Sequence, residues 1–332
     1  MKRKHIYDLI IIALFGLVFL YFQYYTPRSA VVLSQKIDQT TADDYDAERL
    51  ALSKEYQNYL SWFLLADDKT PSIGHYYIGK QRKLLDIRVK QAIEEIKNTP
   101  VADGKVRIWS LLNMGAVIKS SNKIIVIDAA NLPFVSHAHD ELANIADVFL
   151  TTHSDADHYG ESFLSKALTN NKKIVFPEGF YFKENSPSVY KLKSGQRTNI
   201  GGLYVTSFKT DHRGDGNFKI ANCWYLIEVS DIKILHSGDG LAFQNPTEIQ
   251  HLRDRDDIDI FLANLMLSDE NIRDINPKMV VPLHLFKFMH SQEELDKSTF
   301  ESAVAKYEGK ISGIELKLLF AGESFEFPGS NN

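Results

Sequence analysis

Hydrophobic and polar positions divide the chain into three textures. Residues 9–25 form an uncharged run rich in Leu, Ile, Phe and Tyr, preceded by Lys2, Arg3 and Lys4. A basic flank before such a run marks an export signal or a membrane span, and the run is near the short limit for a helix that crosses a bilayer. Arg28 occupies a position where cleavage after Ala30 would require a small residue, so residues 1–30 are read as a retained anchor. The basic end then stays in the cytoplasm, and the remainder lies on the extracytoplasmic side. Between residues 31 and 103 the apolar positions follow a helical period, as in Leu85, Val89, Ala92, Ile93 and Ile96. This predicts helices over 43–65 and 79–98 with a turn at 67–74, forming a helical spacer or cap. From residue 104 to the end the texture becomes short β-branched runs separated by turns. Strands are predicted at 106–111, 116–118, 123–127, 148–151, 173–176, 203–208, 223–229, 232–235, 258–262, 279–283 and 314–320, with a helix over 291–307. Strands interleaved with helices specify an α/β domain.

Composition narrows the chemistry. The 332 residues are 44% hydrophobic and 24% charged, an ordinary globular balance. The net charge is −5 even though the first 30 residues are basic, which argues against a general electrostatic grip on nucleic acid. Cys223 is the single cysteine, so neither an intrachain disulfide nor a thiolate metal cage can form. Any metal must be held by nitrogen and oxygen.

The segment His153-Ser-Asp155-Ala-Asp157-His158 follows an apolar strand and packs two imidazoles and two carboxylates into six residues. On an extended strand end, His153, Asp155 and Asp157 share a side by period-two alternation, and His158 turns to the next position. Mixed imidazole and carboxylate donors suit Zn, Mn or Fe better than Ca, which prefers oxygen alone.

This segment resembles the His-x-His-x-Asp-His motif of the metallo-β-lactamase superfamily. Further matches follow in order: the strand ending at Asp128, then Thr210-Asp-His212, His-Ser-Gly-Asp239 and Val-Pro-Leu-His284. The resemblance implies a four-layer αββα sandwich and two divalent ions, zinc first with manganese or iron as alternatives. By the same resemblance His153, Asp155 and His212 would hold one ion, Asp157, His158 and His284 the other, and Asp239 would bridge them. Asp128 would steady the ligands by hydrogen bonding. A hydroxide bridging the ions would cleave an ester-type bond, with Asp157 orienting it and passing its proton on. Asp155 departs from the pattern, because most hydrolases of the family carry histidine there; the carboxylate hardens the site toward Mn or Fe. The Val-Pro-Leu-His-Leu-Phe segment and the Leu-Leu-Phe-Ala-Gly-Glu-Ser-Phe near the C-terminus are most similar to one branch of the superfamily. That branch holds the ascorbate-phosphate lactonase and the phospholipase D acting on N-acyl phosphatidylethanolamine, which implies a small-molecule or lipid-like lactone or phosphodiester substrate.

Arg213, Lys287 and His290 lie a few residues from the candidate ligands and are candidate substrate contacts. His236 reads as a structural residue beside the site, His137 and His139 as the start of a surface helix with a loop reaching the pocket as the alternative, and His75 and His251 as surface or core residues. Two rival readings stand beside hydrolysis: a di-iron redox protein on the same fold, and a metal-binding scaffold without turnover.

Overall fold

The structure, a computed structural model, describes residues 13–14, 26–40, 46–61, 74–129, 136–212, 220–245, 247–254, 258–286, 292–307 and 313–328. Among the described residues no helix is long and apolar enough to cross a membrane. The expected span at 9–25 lies outside them apart from residues 13–14.

Two seven-stranded sheets carry the fold. The first contains β1 (Val106–Ser110), β2 (Ala116–Ser120), β3 (Ile124–Ile127), β4 (Val148–Leu150), β5 (Lys173–Pro177) and β6 (Val189–Leu192). The second contains β7 (Arg197–Ile200), β8 (Leu203–Lys209), β9 (Cys223–Val229), β10 (Ile232–His236), β11 (Ile260–Asn264), β12 (Met279–Leu283) and β13 (Glu315–Leu316). The last strand, β14 (Ser324–Phe327), returns to the first sheet beside β1. The orders are β14-β1-β2-β3-β4-β5-β6 and β13-β12-β11-β10-β9-β8-β7. In each sheet one half is antiparallel, and the other half, β3 to β6 or β10 to β13, is parallel.

Strand alternation explains the layering. Ile125, Ile127, Val148 and Leu150 of the first sheet meet Tyr225, Ile227, Ile260 and Leu262 of the second in one core between the sheets. Their neighbours Val126 and Phe149 point the opposite way into a second core, and Leu226 and Phe261 into a third. Strands apolar on both faces need cover on both faces, and helices provide it. Outside the first sheet lie α3 (Gly74–Asn98), α4 (Ser136–Ile145) and α5 (Glu161–Thr169), through residues such as Val89, Leu142 and Phe163. Outside the second lie α1 (Thr26–Asp38), α2 (Ala47–Ser61), α6 (Thr247–Asp254), α7 (Asp269–Ile275), α8 (Gln292–Lys297) and α9 (Phe300–Tyr307). The result is the expected αββα sandwich. Each buried Leu, Ile or Phe contributes about 1.5–3 kcal/mol relative to exposure, so these three cores hold the layers together.

The segment read as a spacer or cap packs into both outer layers. Leu33, Leu52 and Tyr56 join the core outside the second sheet, while on α3 the adjacent Leu84 and Leu85 enter different cores. Arg49 fixes this segment to the far end of the chain. Its guanidinium is buried, donates to the carbonyl of Leu318 at 2.8 Å, pairs with Glu323 and lies over the rings of Phe300 and Phe320.

Local expectations differ from the structure at several points, among them the helix expected from residue 79, which begins at Gly74. The helix over 291–307 is two helices, because the Thr299 hydroxyl accepts from the Ser302 amide at 3.2 Å and starts a new turn. The strand over 314–320 pairs only at Glu315–Leu316; beyond it Leu318 and Phe320 enter the outer core and Leu319 the inter-sheet core. Strands β6, β7 and β14 were absent from the reading of the sequence.

Candidate metal centre

Loops leaving the strand ends build the site along one edge of the sandwich. Asp128 follows β3, and the His153 to His158 segment follows β4. Across the cleft, His212 follows β8, Asp239 follows β10 and His284 follows β12. Neighbouring parallel strands end together, and the loops beyond their carboxyl ends converge there, the usual place for a site in an α/β sheet.

All seven predicted ligands meet. His153, Asp155 and His212 bring ligand atoms within 4.8 Å of one another; so do His153, His158 and Asp239, and so do Asp157, His158 and His284. The first and third groups are the two sets expected from the sequence, and Asp239 sits with one histidine from each. Oδ2 of Asp155 lies 3.2 Å from Nε2 of His212. Oδ2 of Asp157 lies 3.5 Å from Nε2 of His158 and 3.4 Å from Nε2 of His284. Oδ1 of Asp239 lies 3.5 Å from Nε2 of His158 and 3.7 Å from Nδ1 of His284.

Asp128 sets the orientation of two rings from beneath. It is fully buried and accepts at Oδ1 from the Thr152 amide at 2.8 Å, and at Oδ2 from the Thr152 hydroxyl at 2.6 Å. A carboxylate can only accept, so His158 donates its Nδ1–H to Asp128, 2.9 Å away. The Thr152 proton is spent on Asp128, so the Thr152 oxygen accepts from Nδ1–H of His153 at 3.0 Å. Nε2 of both rings therefore faces the cluster, bare in the neutral form that a metal ligand takes. Those two Nε2 atoms are buried and have no hydrogen-bond partner among the described residues. A buried polar nitrogen without a partner costs about 1–3 kcal/mol, and a cation would remove that cost. The donor set fits a divalent transition metal: imidazole nitrogen and carboxylate oxygen, with a further carboxylate behind the histidine.

Electrostatics agree with the geometry. Burial would raise the carboxyls of Asp128 and Asp239, yet the His158 charge, joined at Asp239 by His284, holds both below the ordinary carboxylate range. Burial pulls His153 down to about 4, with the neighbouring His158 charge adding to the fall. Burial pulls His158 down as well, but Asp239 and Asp128 overcome it and hold that imidazole well above its ordinary value. Asp128 and Asp239 are thus held in their charged form in a buried site, an arrangement suited to a cation.

Two asparagines that the sequence reading passed over complete the walls. Nδ2 of Asn113 donates to Oδ2 of Asp157 at 3.0 Å, and Nδ2 of Asn264 donates to Oδ1 of Asp239 at 2.8 Å. Only their positions, Asn113 shortly after β1 and Asn264 at the end of β11, could have signalled them. Asn113, Asp128 and His284 all have positive φ, at 52°, 46° and 61°. Such conformations cost non-glycine residues on the order of 1–3 kcal/mol and concentrate at functional sites.

Arg213, Lys287 and His290 lie outside the described residues. His236 is buried beside the cluster with both ring nitrogens on backbone: Nε2–H donates to the Met114 carbonyl at 2.9 Å, and Nδ1 accepts from the Gly238 amide at 3.2 Å. Neither nitrogen is available to a metal. His236→Gln is expected to leave metal content unchanged and to cost about 1–3 kcal/mol of stability. Elemental analysis beside a denaturation curve checks both halves.

Residues 115–284, just over half of the chain, match the family model described as the β-lactamase superfamily domain. A metal-dependent hydrolase of Thermococcus onnurineus is 26% identical over 149 residues, covering 42% of this chain and 66% of that relative. A metal-dependent hydrolase of Polynucleobacter asymbioticus is 25% identical over 264 residues, covering 68% of this chain and 88% of the relative. Among solved structures, the metallo hydrolase Igni18 from Ignicoccus hospitalis superposes with a TM-score of 0.48 at 15% identity, covering 67% of this chain and 98% of that one.

Proposed function

The chain belongs to the β-lactamase superfamily, and on that premise we propose that it is a hydrolase using two divalent metal ions to cleave an ester-type bond, either a lactone or a phosphodiester. One observation carries the reading: three overlapping clusters of ligand atoms, with buried imidazole Nε2 atoms directed into them. His153, Asp155 and His212 would hold one ion, and Asp157, His158 and His284 the other, with Asp239 shared. Bound divalent ions supply Lewis-acid polarisation and bring the pKa of a water toward neutrality. The remaining work falls to the chain. Asp128 keeps His158 in the tautomer that exposes Nε2, and through Thr152 does the same for His153. Asp157 stands at the boundary between cluster and solvent with its side chain 16% exposed, placed to orient a water and to carry its proton to the leaving oxygen.

A screen of chromogenic carboxylic esters, lactones and phosphodiesters against the metal-loaded protein tests the activity. Turnover that disappears with a chelator and returns with Zn or Mn is expected. Metal-replete protein inert toward every member would favour the scaffold reading.

Asp155 offers a second test. Its carboxylate replaces an imidazole in one ligand set, so Asp155→His is expected to shift metal preference from Mn or Fe toward Zn. Competition among the three metals followed by elemental analysis reads the shift, and an unchanged profile would remove Asp155 from the ligand set.

A further inference from the structure

Asn113 touches both ends of one ligand cluster. It is buried in the connection between β1 and β2, on the first sheet, with only 6% of its surface exposed. Its side-chain amide donates to Oδ2 of Asp157, the same oxygen that faces Nε2 of His158 and of His284. Its backbone carbonyl accepts the amide of His284 at 2.9 Å, across the cleft at the end of β12 on the second sheet. The φ of 52° directs carbonyl and side chain to these two partners at once. Asparagine is among the few residues that accept this conformation at modest cost, and its amide supplies an N–H that Asp, of the same shape, lacks.

We infer that Asn113 is a positioning residue that holds Asp157 and His284 in register across the two sheets and thereby sets the affinity of the second ion, the one assigned to Asp157, His158 and His284. The inference rests on the two-ion reading above. By hydrogen bonding to Oδ2, the amide fixes the carboxylate's rotation and draws on one lone pair of the oxygen facing the imidazoles. By holding the His284 amide, the carbonyl ties the second sheet to the same point. An outer hydrogen-bond partner of a metal ligand typically contributes 10–100-fold in affinity.

The test uses the full chain, stripped of metal and titrated with Zn against a chromophoric chelator to obtain two stepwise affinities. Asn113→Gly keeps the positive-φ backbone and the carbonyl to His284 while removing the amide. It is expected to weaken the second ion by about 10–100-fold and to leave the first unchanged. A purely structural role would weaken both ions alike and lower the melting temperature of the metal-free protein, and either equal weakening or no weakening overturns the inference. A second measurement needs no stable glycine variant. The Asn113 side-chain amide resonance of the wild-type protein, assigned by its absence in Asn113→Asp, should move with one equivalent of Zn and not with the other. Movement with both equivalents, or with neither, overturns the inference. A wild-type protein with a single binding step would remove the two-ion reading and the role of Asn113 together; two normal steps with an unaffected variant would remove Asn113 alone.

Discussion

Asp157→Asn is expected to lower turnover by about 10²–10⁴-fold while at least one ion stays bound, the range that positioned acid–base groups contribute. The substitution keeps the size of the side chain and the oxygen that accepts from Asn113, but removes the negative charge and the ability to take a proton. Binding and catalysis separate here because the other set, His153, Asp155 and His212, is untouched. Rate measurements beside elemental analysis of the same preparation read the two effects. Loss of turnover in proportion to loss of metal would make Asp157 a ligand and nothing more, and near-normal turnover would remove its role altogether.

The second large effect concerns stability. Arg49→Ala is expected to destabilise the protein by about 3–5 kcal/mol, because removing one partner of a buried ion pair strands the other. Glu323 is buried, accepts the Phe320 amide at 2.8 Å, and is pushed above the ordinary carboxylate range by burial against the opposing pull of Arg49. Against a typical total of about 5–15 kcal/mol, such a loss is severe. It would loosen α2 from the Leu318 to Glu323 segment that Arg49 joins to it. Urea denaturation should show a lower midpoint with the slope retained. Replacing both partners together, as Arg49→Met with Glu323→Gln, should recover part of the loss, since no charge is then left buried alone. A double variant as unstable as Arg49→Ala would assign the effect to packing on Phe300 and Phe320.

The His153 to His158 cluster was legible in the sequence because it follows an apolar strand, and His212, Asp239 and His284 because their segments resemble the superfamily's motifs in order. Leu150 precedes the His153 cluster, Leu235 precedes Asp239 and Leu283 precedes His284, so the strand signal and the ligand signal reinforce one another. The supporting residues were not legible. Asn113 and Thr152 in loops and Asn264 at the end of β11 are ordinary residues whose meaning lies in partners 44, 24 and 25 positions away, set by sheet pairing and not by local spacing. Weak strands escaped for a related reason: β7 reads Arg-Thr-Asn-Ile with only Ile200 buried, so its place depends on β8 and not on its own pattern. The segment before residue 104 showed its helices by periodicity, but periodicity names only the apolar face. It does not tell which layer that face joins, and Leu84 and Leu85 join different ones.

The account rests on a cluster built for two cations, and the metal content of the full-length protein purified without chelators measures that most directly. About two divalent ions per chain are expected, released together with hydrolytic turnover by a chelator and restored by Zn or Mn. Less than about half an ion per chain, with no uptake when either metal is supplied, would contradict the account.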